Sequence, residues 1–154
     1  MDSTPVTRTL EALGIDFTLH RHAQPVRSLE QAARERGLAP GQIIRSLVFR
    51  VGEGAFVMVL AAGPGRVSWP KLRRHLGVTR MTTASAEEVR RATGYAPGTV
   101  SPFGLPGPLR ILSDRSVLVP EVVSLGAGVR DAGVILKRDD LLRALSLEVG
   151  DFAA

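Results

Sequence analysis

The sequence predicts an α+β fold with a curled, mixed or mostly antiparallel sheet. Two β-rich runs at 42–51 and 55–62 are separated by the turn Gly-Glu-Gly at 52–54, which is typical of a hairpin at the centre of a sheet. Capped helical segments lie on both sides of this hairpin. Because helices and strands do not alternate regularly along the chain, their order favours the α+β class.

Two helices and one strand are predicted before the hairpin. Pro5 lies in the opening turn of a helix whose apolar residues recur at helical spacing until Gly14. Residues 15–22 alternate as a strand does. A capping-box sequence begins at Ser28 and predicts a second helix, which ends at Gly37.

Short elements are predicted after the hairpin. Helices are expected from Ser68 to Leu76 and from Ser85 to Gly94, with a brief strand at 78–83 between them. Glycine, proline and aspartate separate the later elements, which are four predicted strands at 109–114, 116–119, 121–126 and 133–137 and a final helix at 138–146.

Length and composition indicate one domain over 1–154, because 154 residues with 44% hydrophobic content can bury one core and hardly two. No basic segment with an apolar run opens the chain, and no apolar stretch is long enough to cross a bilayer. We therefore expect a cytoplasmic protein without a membrane partner. The absence of cysteine excludes disulfides, thiolate metal sites and cysteine nucleophiles.

The formal net charge of +5 comes mostly from arginine, which suits a polyanionic partner such as a nucleic acid. The charges are spread along the chain, however, and a solvated surface explains them equally well. A nucleic-acid partner therefore needs a second argument.

Familiar catalytic motifs are absent from the sequence. The run 126–133 is not a dinucleotide fingerprint, and neither a phosphate-binding P-loop nor a Gly-x-Ser-x-Gly elbow occurs. His20 and His22 share one strand face, so a metal site is conceivable there, but an ordinary strand end is the simpler interpretation. No metal or organic cofactor is expected.

The stretch Thr-Gly-Tyr-Ala-Pro-Gly-Thr-Val-Ser-Pro-Phe-Gly at 93–104 is unusually rich in glycine and proline. Taken alone, it is a connector between a helix and a strand. Together with the runs at 17–20, 43–50 and 122–128, however, it resembles the YbaK/ProX-type proteins. These are free-standing aminoacyl-tRNA deacylases related to the insertion editing domain of bacterial prolyl-tRNA synthetase.

The resemblance implies a fold and an activity. The fold would be a mixed sheet curled into a barrel-like core and surrounded by helices. The activity would be trans-editing, which is hydrolysis of the ester that joins a wrong amino acid to the 3′ end of a tRNA. Partners would be the tRNA acceptor end and, as a further candidate, an aminoacyl-tRNA synthetase, whereas the edited amino acid and the oligomeric state stay open.

The resemblance also implies a catalytic loop. Cleavage of an ester places negative charge on the carbonyl oxygen, which fixed backbone N–H groups stabilise. Gly98 permits close approach of a ligand, and the N–H groups of Thr99, Val100 and Ser101 are the predicted donors. Water is the expected nucleophile, because no base accompanies the Thr99 or Ser101 hydroxyl.

Arg45 stands where many members of this family carry a lysine. Arginine keeps the positive charge and can bind phosphate or an oxyanion, but it cannot act as a base. We expect Arg45 to supply a cation to catalysis, with an exposed strand charge as the alternative. The departure also leaves open a second function, a catalytically weak or inactive module that binds tRNA or a synthetase. A hydrolase of free aminoacyl esters is a third, more distant possibility.

Six further residues are predicted to bind the substrate. In an ideal strand Ser46 points away from Arg45, so both would line one pocket only if the strand were irregular. For Phe17 core packing is the simpler alternative, and for His20 it is capping of a strand. The predicted substrate-binding residues are Phe17, His20, Ser46, Pro102, Phe103 and Ser124.

Overall fold

The computed structural model describes residues 3–154 and contains five α-helices and eight strands within that range. The helices are α1 (Pro5–Ala12), α2 (Leu29–Arg36), α3 (Trp69–Leu76), α4 (Ala86–Thr93) and α5 (Arg138–Ala144). The strands are β1 (Thr18–Arg21), β2 (Ile44–Gly52), β3 (Ala55–Ala62), β4 (Thr82–Thr83), β5 (Arg110–Asp114), β6 (Val122–Gly126), β7 (Ala132–Lys137) and β8 (Leu147–Gly150). None of the helices in this range is long and apolar enough to span a membrane.

The strands form two sheets. One is antiparallel, with the order β1-β7-β6. The other has the order β4-β2-β3-β5-β8 and is mixed, because β5 runs parallel to both β3 and β8. The predicted α+β class with a mixed sheet and outer helices is confirmed. Neither sheet closes into a barrel.

The central strand β3 is buried on both faces, as its continuous apolar sequence requires. Met58 and Leu60 face the larger core, which also receives the antiparallel sheet and α1. Val57 and Val59 face a smaller core beneath α3, closed by Phe152. The hairpin of β2 and β3 is thus the frame on which both halves of the core pack.

The edge of β2 is where the two sheets meet. Ile43, just before β2, forms a parallel bridge with Ser124 of β6. Farther along the same strand, Phe49 and Arg50 pair with β4. Between these two contacts, within the part of the chain that the structure describes, no strand pairs with this edge of β2.

Two sequence predictions of secondary structure were wrong. Residues 116–119 are not a strand, because the Asp114 carboxylate accepts the Ser116 N–H at 3.0 Å and starts the 3-10 turn Arg115–Leu118. Strand β8 was missed, since its four residues are too few to show alternation and its pairing with β5 depends on distant residues.

Candidate functional site

Two neighbouring cavities share a wall that is formed by residues of β2 and of the loop at 93–104. One has a volume of about 500 Å³ and the other of about 570 Å³. Both are lined by the same five residues, Arg45, Ser46, Pro97, Gly98 and Val100. These shared residues form the junction between the two cavities.

The cavities differ in their other walls. The polar cavity is the one bounded by Ser28, Arg36, Arg130 and Asp131, so three arginines and one aspartate surround it once Arg45 is included. The apolar cavity is the one bounded by Phe49, Val67, Trp69 and Val89, with Arg66 at its rim. The rings of Phe49 and Trp69 pack edge to face, with centroids 5.3 Å apart.

The loop reaches the junction through a type II β-turn. The Thr99 N–H donates to the Ala96 carbonyl at 3.0 Å, with Pro97 and Gly98 in the central positions. Gly98 has φ +85°, a conformation that the third residue of this turn requires and that glycine adopts without strain. The turn presents Pro97, Gly98 and Val100 to both cavities.

The predicted backbone donors of the loop are not equivalent. The Thr99 N–H closes the turn and is not available to a ligand. Gly98 and Val100 line both cavities, and their N–H groups have no hydrogen-bond partner among residues 3–154. The Ser101 N–H also lacks a partner in the described residues, but Ser101 is buried and lines neither cavity, so the N–H groups of Gly98 and Val100 are the ones left for a ligand.

The second half of the loop is buried and serves as an anchor. Thr99, Ser101, Pro102 and Phe103 are buried and line neither cavity. The Ser101 hydroxyl accepts the Phe103 N–H at 3.1 Å, and the Tyr95 hydroxyl donates to the Phe103 carbonyl. Burial raises the pKa of Tyr95 to about 12, so this hydroxyl keeps its proton and holds the loop in place.

Arg45 lines both cavities while two of its donors hold backbone carbonyls. Its Nε donates to the Gly63 carbonyl at 2.9 Å, and its Nη2 donates to the Gly65 carbonyl. Burial lowers the pKa of Arg45 from its ordinary value, yet a guanidinium stays charged at neutral pH. Arg45 is therefore a fixed cation at the junction and cannot act as a base.

Ser46 also lines both cavities, although β2 is regular there. The register of β2 with β3 is continuous from Ile44 to Arg50, so Arg45 and Ser46 line one junction without an irregularity in the strand. Arg45 reaches the junction because its long side chain bends back to the Gly63 carbonyl. The Ser46 Oγ is a buried polar atom without a hydrogen-bond partner in the described residues, so this hydroxyl is unsatisfied next to both cavities.

Arg36 is a site residue that the sequence did not indicate. It is the last residue of α2 and lines the polar cavity. Its Nε donates to His22 Nε2 at 3.1 Å, and its Nη1 donates to the Ser124 hydroxyl at 2.8 Å. In the sequence it follows Arg34 and Glu35 and resembles a solvated charge at a helix end; only the contact with Ser124, 88 residues away, reveals its position.

The remaining predicted residues lie behind the cavities. His20 packs against His22 with ring centroids 4.6 Å apart; burial, followed by electrostatic interaction with His22 and Arg36, lowers the pKa of His20. Phe17 packs on the larger core, and Ser124 reaches the polar cavity only through Arg36. No cluster of three or more His, Cys, Asp or Glu side chains suited to a metal occurs among residues 3–154.

Three arginines lie on or near the segment that carries Trp69, a residue of the apolar cavity. Trp69 begins α3, and Arg73 follows one turn later on the same helix face, with Arg74 beside it. Arg66 and Arg74 are exposed. Arg66, Arg73 and Arg74 form no ion pair with any of the described residues. This surface carries uncompensated positive charge next to an aromatic cavity.

Comparisons with known proteins identify the family. The model of the aminoacyl-tRNA editing domain matches residues 23–144. The chain is 31% identical over 143 residues to the multifunctional Ser/Thr-tRNA deacylase ProXp-y of Escherichia coli (strain K12), covering 90% of this chain and 85% of that protein. A solved structure of a candidate trans-editing enzyme for prolyl tRNA synthetase superposes with a TM-score of 0.88 at 31% identity, covering 97% of this chain and 95% of that one.

Proline–tRNA ligases are also similar over part of their length. The chain is 34% identical over 110 residues to the enzyme of Bacillus licheniformis, and these residues cover 71% of this chain and 19% of the ligase. The chain thus spans about a fifth of the length of such ligases. The resemblance inferred from the four sequence stretches is confirmed, and the chain belongs to the aminoacyl-tRNA editing domain family.

Proposed function

We propose that this protein hydrolyses, in trans, the ester bond of mischarged aminoacyl-tRNA. The observation that carries the proposal is the junction, where two cavities of different character share Arg45, Ser46, Pro97, Gly98 and Val100. An aminoacyl ester has a nucleoside on one side and an amino acid on the other, so its scissile bond fits a junction of this kind. Family membership and the names of the relatives support the same reaction.

The apolar cavity suits the terminal nucleoside. Nucleobases stack on aromatic side chains, which Trp69 and Phe49 provide. Arg66 lines this cavity, and Arg73 and Arg74 belong to the helix that begins at Trp69, so these cations suit the phosphates of an acceptor stem. This orientation leaves the polar cavity for the aminoacyl group, whose α-ammonium would find its acceptor in Asp131.

The chemistry follows from the groups at the junction. A water molecule attacks the carbonyl carbon, and the N–H groups of Gly98 and Val100 stabilise the resulting oxyanion. The bond to the ribose oxygen then breaks, and that oxygen takes up the proton released by water. The products are the free amino acid and an uncharged tRNA. Arg45 supplies a fixed positive charge, and a ribose hydroxyl of the substrate orients the water.

A deacylation panel tests the proposal. Purified protein is incubated with tRNAs mischarged with different amino acids, and the loss of labelled aminoacyl-tRNA is followed beside a no-enzyme control. We expect at least one ester to be cleaved well above the uncatalysed rate. Rates equal to the no-enzyme control across the whole panel would contradict the proposal and favour a module that only binds tRNA.

Free aminoacyl esters form the second arm of the panel. Because the nucleoside and the cations beside α3 contribute binding, tRNA esters should be cleaved with a higher kcat/KM than the corresponding methyl esters. Equal values would point to a general ester hydrolase. We also propose that the protein acts in the cytoplasm. A transient contact with a synthetase is proposed as well, and it would raise the deacylation rate when a proline–tRNA ligase is added.

A further inference from the structure

Arg36 places an uncompensated cation in the wall of the polar cavity. A guanidinium has five N–H donors. The Arg36 Nε donates to His22 and its Nη1 donates to Ser124, which uses two of these donors. The others have no partner in the part of the chain that the structure describes.

No carboxylate neutralises this charge locally. Within residues 3–154, Arg36 forms no ion pair. Glu35 interacts with it only through the His22 ring, whose Nδ1 lies 2.7 Å from the Glu35 Oε1. Asp131 lines the same cavity, but its Oδ1 accepts the Val26 N–H at 3.0 Å. Burial lowers the pKa of Arg36, and this burial is the only cause of the shift.

The guanidinium is held rigidly in place. The His22 side chain is fully buried, and its Nε2 accepts from Arg36, so its Nδ1 carries the proton shared with Glu35. A Cβ added at Gly133 of β7 would overlap the Arg36 guanidinium, which therefore packs directly on that strand. A cation fixed in this way binds a complementary anion without further ordering of its side chain.

We propose that Arg36 makes the polar cavity selective for aminoacyl esters whose side chain ends in a carboxylate. The inference rests on the proposed function, because the scissile ester must lie at the junction for the side chain to reach Arg36. A planar guanidinium with free donors matches a carboxylate in both geometry and charge. A tRNA phosphate is the less suitable anion, since the aromatic rings and the cations of α3 place the nucleotide at the other cavity.

Two nearly isosteric substrate pairs test the selectivity. Deacylation of aspartyl-tRNA is compared with that of asparaginyl-tRNA, and glutamyl-tRNA is compared with glutaminyl-tRNA. We expect kcat/KM to favour the acidic member of at least one pair by about tenfold or more, because the extra free energy of a charged hydrogen bond over a neutral one corresponds to about this ratio. Arg36→Gln should remove this preference, and Arg36→Lys should keep part of it.

Arg34→Gln is the matched control, because Arg34 lies in the same last turn of α2 but is exposed and lines neither cavity. It should retain the wild-type preference. Thermal unfolding of all variants shows whether Arg36 has a purely structural role. The inference would be overturned if Arg36→Gln lost kcat/KM equally for acidic and neutral esters. It would also be overturned if the wild type cleaved a seryl ester faster than either acidic ester.

Binding separates this inference from the proposed reaction. Adenosine carrying aspartate or asparagine through a non-hydrolysable 3′-amide is titrated into the wild type and Arg36→Gln by calorimetry. Tighter binding of the aspartyl compound by the wild type alone would support the role of Arg36 even if no ester were hydrolysed. Equal affinity for the two compounds, or no binding of either, would overturn it whatever the deacylation panel shows.

Discussion

The two cavities share five residues but differ in what surrounds them. The polar cavity is lined by Arg36, Arg130 and Asp131. Of these, Arg36 of α2 is held by its hydrogen bond to Ser124 of β6. The apolar cavity contains Phe49 and Trp69, which belong to the smaller core beneath α3. The polar cavity thus offers charged groups to a ligand, whereas the apolar cavity offers aromatic rings.

The difference suggests that each cavity recognises one end of a substrate, while the junction performs the chemistry. Substitutions at the junction should reduce turnover for every ester. Substitutions in one cavity should change recognition of the amino acid or of the nucleotide, but not both. The following four predictions test this separation.

Gly98→Ala should have the largest effect. Alanine at φ +85° strains the type II turn by about 1–2 kcal/mol and moves the two N–H groups of the junction. We expect kcat to fall by about tenfold or more on every ester, by comparison with the loss of an oxyanion donor in other enzymes.

Gly14→Ala is the matched control for backbone strain. Gly14 has φ +69°, nothing lies within 4 Å of an added Cβ, and the residue lines neither cavity. Both variants should lose similar stability in thermal unfolding, but only Gly98→Ala should lose activity. Equal activity in the two variants would remove the turn from the mechanism.

Trp69→Leu should have the next largest effect. Leucine preserves much of the packing under α3 but removes the ring on which a base can stack, an interaction of about 1–3 kcal/mol. KM for tRNA should therefore rise about tenfold, by the same factor for each amino acid. A change in the order of preference among amino acids would show that the two cavities do not act separately.

Ser46→Ala should change stability and activity in opposite directions. Its buried hydroxyl lacks a partner in the described residues, so removing it should leave the free energy of unfolding unchanged or raise it by up to about 1 kcal/mol. At the same time, kcat/KM should fall several-fold, because Ser46 lies in the wall that both cavities share.

Ser113→Ala provides the contrast to Ser46→Ala. The buried Ser113 hydroxyl donates to the Asp114 carbonyl at 3.2 Å and lines neither cavity. Its loss should cost about 1 kcal/mol of stability without affecting deacylation. Urea unfolding and deacylation kinetics of both variants check this pair of predictions. If Ser46→Ala were destabilised but fully active, the Ser46 hydroxyl would contribute to stability and not to the reaction.

Glu148→Gln should have the smallest effect and should leave both cavities unchanged. A hydrogen bond from Arg110, assisted by one from His75, lowers the pKa of Glu148 from 4.5 to about 2. A carboxylate with a lowered pKa stabilises the folded state above its unfolded pKa, and this contribution disappears as the pH falls through the folded value. Because the pair is exposed, the contribution is small.

Unfolding at several pH values checks this prediction. The stability difference between wild type and Glu148→Gln should be present at pH 7 and should shrink between about pH 4.5 and about pH 2. Deacylation at pH 7 should be the same for both. Glu11→Gln is the control, since Glu11 is exposed and lines neither cavity; a pH-independent difference for Glu148→Gln would contradict the assignment.

Local chemistry made much of the fold predictable. The capping box of Ser85 and Glu88 and the left-handed Gly94 define α4 within a few residues of sequence, and the structure contains both. The loop after Gly94 could likewise be recognised as unusual from its own residues. Strand β8 could not be identified, because its ladder with β5 joins segments that are far apart in the sequence.

The site followed the same division. Gly98 and Arg45 lie in stretches that resemble a family, so they could be proposed as site residues without coordinates, and both line the two cavities. The donor pattern of the loop could not, because the Thr99 N–H is occupied only once the turn has formed. Arg36 depends on His22, Ser124 and Gly133 together, and no local pattern links these residues.

The unpaired edge of β2 has a consequence for solubility. An open strand edge is a template on which the strand of another molecule can assemble. Here Pro97, Gly98 and Val100 line the same two cavities as Arg45 and Ser46, which lie on the unpaired part of that edge. The turn that shapes the junction therefore also shields the sheet from self-association, so mutations that loosen it should promote aggregation as well as reduce turnover.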